Sequence, residues 1–107
     1  MPIIQWTPLE LHQALQENPD LILVDVREDN EYAYAHIQNS LHIPLRQLPE
    51  RQSQLNSAQP IAIICHHGMR SMLAWQFLQH QGYSQLFNIQ GGIDAWSLAC
   101  DSSVPRY

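Results

Sequence analysis

The sequence predicts an α/β fold with a central, mostly parallel sheet of five strands and helices on both of its faces. Short apolar runs rich in β-branched residues alternate with helical segments along the chain, as expected when each helix connects two parallel strands. Residues 61–64 are apolar at every position, which is typical of a strand buried on both faces. The length of 107 residues, 45% of them apolar, suits one ordered domain over residues 1–107.

Charge and composition exclude several classes of function. The formal net charge of -5 argues against nucleic acid or an acidic membrane surface as a partner, because both require a basic footprint. No apolar segment reaches the length of a membrane span, and residues 1–6 lack the basic and apolar regions of a signal peptide. We therefore expect a cytoplasmic protein. The six histidines and two cysteines do not fall at zinc-ligand spacings, so no metal site is predicted.

The chain begins with signals for an edge strand and a capped helix. Residues 3–6 are predicted to form a short strand at the edge of the sheet. Thr7 is a good N-cap, Pro8 suits the first helical position, and Glu10 stands three residues after the cap, which together form a helix-start signature. Asn-Pro-Asp at residues 18–20 is expected to end this helix.

The next segments are predicted to contain a buried strand, a short helix and a brief third strand. Residues 21–26 form an apolar run with one acidic residue near its end. Asp29 or Asn30 is expected to cap a helix that continues through Ala35. Residues 41–44 then form a brief strand that is closed by proline.

The second half of the chain continues the alternation of helices and strands. Gly82 is expected to follow the C-terminus of the longest of these helices, and Gly91-Gly92 is expected to form a tight turn. The predicted elements are a helix over residues 49–55, a strand over 61–64, a helix over 71–81, a strand over 86–89 and a helix over 93–100.

One cysteine stands where a buried strand runs into a polar loop and then a helix. Cys65 follows the apolar run directly, at the carboxyl edge of the sheet, where open α/β folds place their ligands. The next helix, expected to begin near Ser71, directs its free N–H groups and positive dipole end back at the sulfur. We predict that Cys65 is a nucleophile held as a thiolate. The alternative is a small buried hydrophobic residue at a strand end.

The segment after Cys65 has the features of an anion-binding loop. Consecutive backbone N–H groups that curl round one atom form a concave nest, and Gly68 permits the backbone angles that this requires. Arg70 adds a fixed positive charge, whereas the two histidines either add titratable charge or are simply exposed. Cysteine phosphatases use a longer segment to encircle a phosphate; four residues separate Cys65 from Arg70, which suits a single sulfur atom better. The predicted substrate-binding loop contains His66, His67, Gly68, Met69, Arg70 and Ser71.

Four motifs occur in an order that resembles the rhodanese family, and together they span nearly the whole chain. Ala35 and Asn39 replace two glycines of the family pattern, and Asn tolerates left-handed backbone geometry. The motifs are Asp-x-Arg-x with Glu-aromatic over residues 25–32, the His-Ile segment over 35–44, the cysteine loop over 65–71, and Gly-Gly-x-x-x-Trp over 91–96.

The resemblance implies a rhodanese-like fold and a sulfurtransferase of the thiosulfate or persulfide type. In this family a sulfane sulfur moves from a small donor such as thiosulfate to a cyanide, thiol or protein-thiol acceptor, through a persulfide that would form on Cys65. No metal or organic cofactor is implied. Two alternatives remain at this point. One is a non-catalytic binding module of the same fold, and the other is a cysteine-loop phosphatase or arsenate reductase.

Other polar candidates are better explained by structure than by catalysis. Asp25, Arg27 and Glu31 are expected to form a compact ion-pair network, because partly buried charges are usually paired. His36 is expected to form a structural hydrogen bond. Cys100 either resolves a persulfide on Cys65 by forming a disulfide, which requires close approach, or is an incidental thiol at a helix end.

Overall fold

A computed structural model of the protein describes residues 3–107. Residues 1–2 lie outside the described part, and they belong both to the predicted domain and to the segment examined for a signal peptide. Strands and helices alternate along the chain as predicted. The elements are β1 (Gln5–Trp6), α1 (Pro8–Glu17), β2 (Ile22–Asp25), α2 (Asp29–Tyr34), β3 (Leu41–His42), α3 (Leu48–Arg51), β4 (Ile61–Ile64), α4 (Met69–His80), β5 (Leu86–Ile89) and α5 (Gly92–Ala99).

Within residues 3–107 the five strands form one sheet in the order β1-β5-β4-β2-β3, and each neighbouring pair is parallel. The predicted five-stranded α/β sheet is therefore confirmed, and it is entirely parallel. β4 lies at its centre, paired with β2 on one side and β5 on the other. Because parallel strands end at one edge, residues that follow β2, β4 and β5 are brought together there.

Side chains of β4 alternate between two hydrophobic cores. Ile61 and Ile63 point into the core that also contains residues of α3 and α4, whereas Ala62 and Ile64 point into the core shared with α1 and α5. All four are buried, as expected for a central strand covered on both faces. Helices therefore flank both faces of the sheet, as predicted.

The start of α1 matches its sequence signature. Thr7 Oγ1 accepts a hydrogen bond from the Glu10 N–H at 3.2 Å, and the Thr7 N–H donates to Glu10 Oε1 at 3.0 Å. Such a reciprocal cap satisfies two backbone donors and typically contributes about 1 kcal/mol. The predicted cap of α2 at Asp29 or Asn30 is wrong. Glu28 is the N-cap, because Glu31 accepts a hydrogen bond from its backbone N–H at 3.0 Å.

Two helices differ from their predicted bounds by two or more residues at one end. α4 begins at Met69 rather than Ser71, because Gly68 adopts φ +103° and turns the chain into the helix immediately after the loop. In place of a helix over residues 49–55, the short α3 is flanked by single 3₁₀ turns. The polar segment after α3 has no apolar face at helical spacing to extend it.

Among residues 3–107, no helix combines the length and the apolar character that crossing a membrane requires.

Candidate active site

Cys65 lies directly after the central strand β4, at the carboxyl edge of the sheet, as predicted. Its side chain is buried, with 1% of the residue exposed. The Gly68 N–H donates to Cys65 Sγ at 3.0 Å, and the Ser71 hydroxyl lies 3.4 Å from the same sulfur. The Cys65 thiol donates to the Ser71 hydroxyl oxygen, whereas the Gly68 N–H, at the N-terminus of α4, donates to the sulfur. The sulfur therefore lies where negative charge is stabilised.

Asn88, a residue not predicted to belong to the site, fixes the loop to the sheet. Its side-chain oxygen is hydrogen-bonded to the Ser71 hydroxyl, and its Nδ2 donates to Gln5 Oε1 at 2.9 Å. Ser71 also contacts the Gly68 carbonyl at 3.1 Å. Asn88 is 1% exposed on β5, where a polar side chain requires such partners. A lone polar residue within an apolar run was the available signal.

The turn at Gly91-Gly92, where α5 begins, packs against the cysteine loop. The Ile93 N–H donates to the Cys65 carbonyl at 2.8 Å, and the Asp94 N–H donates to the His66 carbonyl at 3.2 Å. A Cβ on Gly92 would lie 2.4 Å from both carbonyl oxygens. The predicted tight turn at Gly91-Gly92 is confirmed. It lies beside the loop, where Gly92 permits the close approach of two backbones.

Two arginine–carboxylate pairs lie at this edge. Arg27 and Asp25 form a buried pair at 2.7 Å, with neither side chain more than 1% exposed. Arg70 binds Glu31 through both terminal guanidinium nitrogens, with Nη2 to Oε2 at 2.8 Å. The predicted network is thus confirmed for Asp25 and Arg27, while the charge partner of Glu31 is Arg70. The hydrogen bonds from Arg70 lower the pKa of Glu31 to about 2.

Glu31→Gln is expected to lower the melting temperature at neutral pH, because it leaves Arg70 without its carboxylate. The pKa of Glu31 falls from 4.5 to about 2 on folding, so the pair stabilises the fold fully above pH 4.5 and loses this contribution as the pH falls towards 2. Thermal denaturation should show that the gap between wild type and variant shrinks over that range. Glu50→Gln, the same change at an exposed residue of α3, is the control. A gap independent of pH would contradict this role.

The two loop histidines differ in their surroundings. The His66 ring is stacked between the rings of His67 and Tyr107, each centroid 3.9 Å away, and its Nε2 lies 3.0 Å from the Tyr107 carbonyl oxygen. Burial, reinforced by His67, lowers the pKa of His66. The His67 side chain is 63% exposed and lies 3.9 Å from the Asp94 carboxylate. His67 is therefore a solvent-exposed side chain, whereas His66 is packed between two rings.

Donor atoms of His66, His67 and Asp94 lie within 4.8 Å of one another. These donors already have partners in the protein. The Arg106 guanidinium binds Asp94 at 2.8 and 3.4 Å, and the Tyr107 carbonyl oxygen is paired with His66 Nε2. The cluster is explained by these contacts.

His36 and Cys100 take structural positions. His36 Nδ1 is hydrogen-bonded to the Tyr32 carbonyl at 2.8 Å, and the two rings are stacked, which confirms the predicted structural hydrogen bond. α5 starts beside the Cys65 carbonyl, and Cys100 follows its last residue. Eight residues of helix separate the two ends by about 12 Å, too far for a disulfide. The geometry favours an incidental thiol.

Comparisons with known proteins agree with this geometry. The family description "Rhodanese-like domain" matches residues 7–99. A thiosulfate sulfurtransferase GlpE from Actinobacillus pleuropneumoniae is 33% identical over 93 residues, covering 85% of this chain and 86% of that protein. A sulfurtransferase from Allochromatium vinosum is 37% identical over 87 residues, covering 81% of each protein.

Solved structures show the same fold. The crystal structure of a rhodanese-like domain protein from Staphylococcus aureus superimposes with a TM-score of 0.85 at 30% identity, covering 98% of this chain and 99% of that one. The family match extends from the cap of α1 to the end of α5 and includes the cysteine loop. This chain belongs to the rhodanese-like domain family.

Proposed function

We propose that this protein is a single-domain sulfurtransferase that carries a sulfane sulfur on Cys65 as a persulfide. The observation that supports this best is the buried sulfur with the Gly68 N–H at 3.0 Å and the N-terminus of α4 beside it. The relatives named as sulfurtransferases support the same class of reaction. We place the site in Cys65 and in the substrate-binding loop formed by His66, His67, Gly68, Met69, Arg70 and Ser71.

In the first step the Cys65 thiolate attacks the outer sulfur of a donor such as thiosulfate. A new S–S bond forms, the S–S bond of the donor breaks, and sulfite leaves with the electron pair. The Gly68 N–H, 3.0 Å away, stabilises the thiolate. Before ionisation the Cys65 thiol donates to the Ser71 hydroxyl oxygen at 3.4 Å, whereas the Ser71 hydroxyl itself donates to Asn88 Oδ1.

In the second step the outer sulfur of the persulfide is transferred to a nucleophilic acceptor. A thiolate, a protein thiolate or cyanide attacks that sulfur, the bond to Cys65 breaks, and the cysteine leaves as a thiolate. We expect the backbone N–H groups of residues 66–71, of which the Gly68 N–H donates to Cys65 Sγ, to stabilise the charge on the persulfide by the physics of an oxyanion hole. This sequence of steps requires no metal or organic cofactor.

The position of Arg70 supports sulfur transfer over phosphate chemistry. Phosphoryl transfer needs cationic groups directed at the phosphate oxygens. Here both outer nitrogens of the Arg70 guanidinium are bound by Glu31, so the arginine braces the loop rather than facing a tetrahedral anion. We therefore propose that Arg70 supports the loop structurally and contributes positive charge near the site.

Intact-protein mass spectrometry tests the proposal. We expect the protein to gain the mass of one sulfur atom after incubation with thiosulfate and gel filtration, and to lose it on addition of cyanide. If thiosulfate gives no gain, the experiment is repeated with a small-molecule persulfide donor. A gain only in that arm assigns a persulfide donor, whereas no gain with either donor refutes the sulfurtransferase and favours a non-catalytic docking module.

A further inference from the structure

Residues 101–107 return to the edge of the sheet where Cys65 lies. Arg106 binds the Asp94 carboxylate, and Tyr107 then contacts the site through three different groups. Its ring stacks on the His66 ring with an interplanar angle of 9°. Its carbonyl oxygen is 3.0 Å from His66 Nε2. Its hydroxyl accepts a hydrogen bond from Arg27 Nη1 and donates one to Glu31 Oε2, each at 2.8 Å.

These contacts connect Tyr107 to both ends of the cysteine loop. His66 is the first residue after Cys65, and Glu31 holds Arg70, in the first turn of α4, where the loop ends. The loop segment between these two points contains Gly68, whose backbone N–H donates to the sulfur. A residue that fixes both ends limits the conformations that this segment can adopt, and limiting them lowers the cost of reaching the reactive geometry.

The hydroxyl of Tyr107 also joins the two ion pairs of the site. On one side is the buried Arg27–Asp25 pair, and on the other is the Glu31–Arg70 pair. Burial raises the pKa of Tyr107, so the phenol keeps its proton and remains a donor to Glu31. A phenylalanine would retain the stacking on His66 while losing the connection between the pairs.

We propose that Tyr107 is a positioning residue for sulfur transfer, which holds the cysteine loop at both ends through His66 and Glu31. This inference rests on the proposed function and extends it to a residue outside the family motifs. Tyr107 does not contact the reacting sulfur. Its effect is therefore exerted on the rate at which Cys65 acquires sulfur, through the order of the loop.

The test measures the rate and the end point of sulfur loading in wild type, Tyr107→Phe and Tyr107→Ala by intact-protein mass spectrometry. We expect a rate about threefold lower in Tyr107→Phe, which loses hydrogen bonds to charged groups, and about tenfold lower or more in Tyr107→Ala. All three proteins should reach one sulfur per molecule. Tyr34→Phe, the same change in a neighbouring exposed tyrosine that touches the Tyr107 ring edge-on, is the matched control.

The end point separates positioning from a loss of folded protein. Partial unfolding would lower the amount of sulfur bound and leave the rate of the remaining folded molecules unchanged. An NMR titration of His66 supplies a second reading that does not depend on activity. Burial is the main cause of the lowered pKa of His66 and outweighs the hydrogen bond to the Tyr107 backbone, which raises it. Tyr107→Ala should therefore give a net rise of that pKa towards 6.5, and Tyr107→Phe a much smaller one.

Each outcome decides a different question. An unchanged loading rate in Tyr107→Ala, or an end point that falls in proportion to the folded fraction, would overturn the role of Tyr107. An unchanged His66 pKa in that variant would refute the contact on which it depends. Failure of the wild type to load sulfur from either thiosulfate or a small-molecule persulfide would instead refute the proposed function, and the role of Tyr107 with it.

Discussion

Sulfur loading and turnover are expected to fall by more than about a thousandfold in Cys65→Ser, because the variant lacks the nucleophile on which the persulfide forms. A serine hydroxyl cannot form the S–S bond of the intermediate. The fold should persist, since serine is close in size to cysteine and the Gly68 N–H and Ser71 hydroxyl remain available as its hydrogen-bond partners. Mass spectrometry after exposure to the donor measures the loss, and thermal denaturation checks the fold.

Cys100→Ser is the matched control for this experiment. It removes the other thiol, which lies at the far end of α5 and whose pKa burial raises. We expect it to load one sulfur at the rate of the wild type. Loading that survives in Cys65→Ser but disappears in Cys100→Ser would transfer the role of carrier to Cys100. Loss in both variants would indicate that the two cysteines act together.

The features of this protein that could be predicted from the sequence depend on residues that are close together in the chain. The cap of α1 is formed by residues three positions apart, and the strand before Cys65 is marked by four consecutive apolar residues. The position of Cys65 at the sheet edge follows from that strand alone. Gly68 was expected to adopt special backbone angles, and its φ of +103° agrees because the loop must turn within a few residues.

The parts that could not be predicted depend on contacts between distant segments. The partner of Arg70 is Glu31, 39 positions away, and Tyr107 reaches Glu31 across 76 positions. Asn88 reaches Ser71 across 17. No periodicity encodes such pairs, because the strand order that brings them together is set by how all the helices pack on the sheet. The local pattern and the family resemblance both indicate the cysteine loop, but neither indicates these pairings.

Glycines with a positive φ differ in their tertiary contacts, so the effect of replacing one depends on its surroundings as well as on its backbone angle. Gly68, Gly82 and Gly92 all have positive φ, of +103°, +96° and +61°. An added Cβ at Gly82 would meet nothing within 4 Å, and at Gly68 its nearest contact would be 3.5 Å away. At Gly92 it would lie 2.4 Å from the Cys65 and His66 carbonyl oxygens. Substitution thus causes backbone strain at all three positions, and a backbone collision only at Gly92.

Gly92→Ala is therefore expected to destabilise the protein by about 3 kcal/mol or more and to abolish sulfur loading even in the molecules that remain folded. The methyl group must push α5 away from the loop, and this breaks the hydrogen bonds from Ile93 and Asp94 that hold the Cys65 and His66 carbonyls. Gly82→Ala should cost only about 1–2 kcal/mol, the strain of a left-handed alanine, with sulfur loading unchanged.

Gly68→Val completes the series, because it strains the loop itself and its Cβ would have no neighbouring backbone atom closer than 3.5 Å. We expect loading to be lost while the melting temperature falls less than in Gly92→Ala. Denaturant unfolding measures the loss of stability in the three variants, and mass spectrometry measures their sulfur loading. Together the two measurements distinguish the effect of backbone strain, the effect of a backbone collision and the effect of distance from the site. Normal loading in Gly68→Val would show that the loop does not depend on the left-handed turn. Equal destabilisation in Gly82→Ala and Gly92→Ala would show that α5 moves away at little cost, and the close backbone contact would then not be what holds the site.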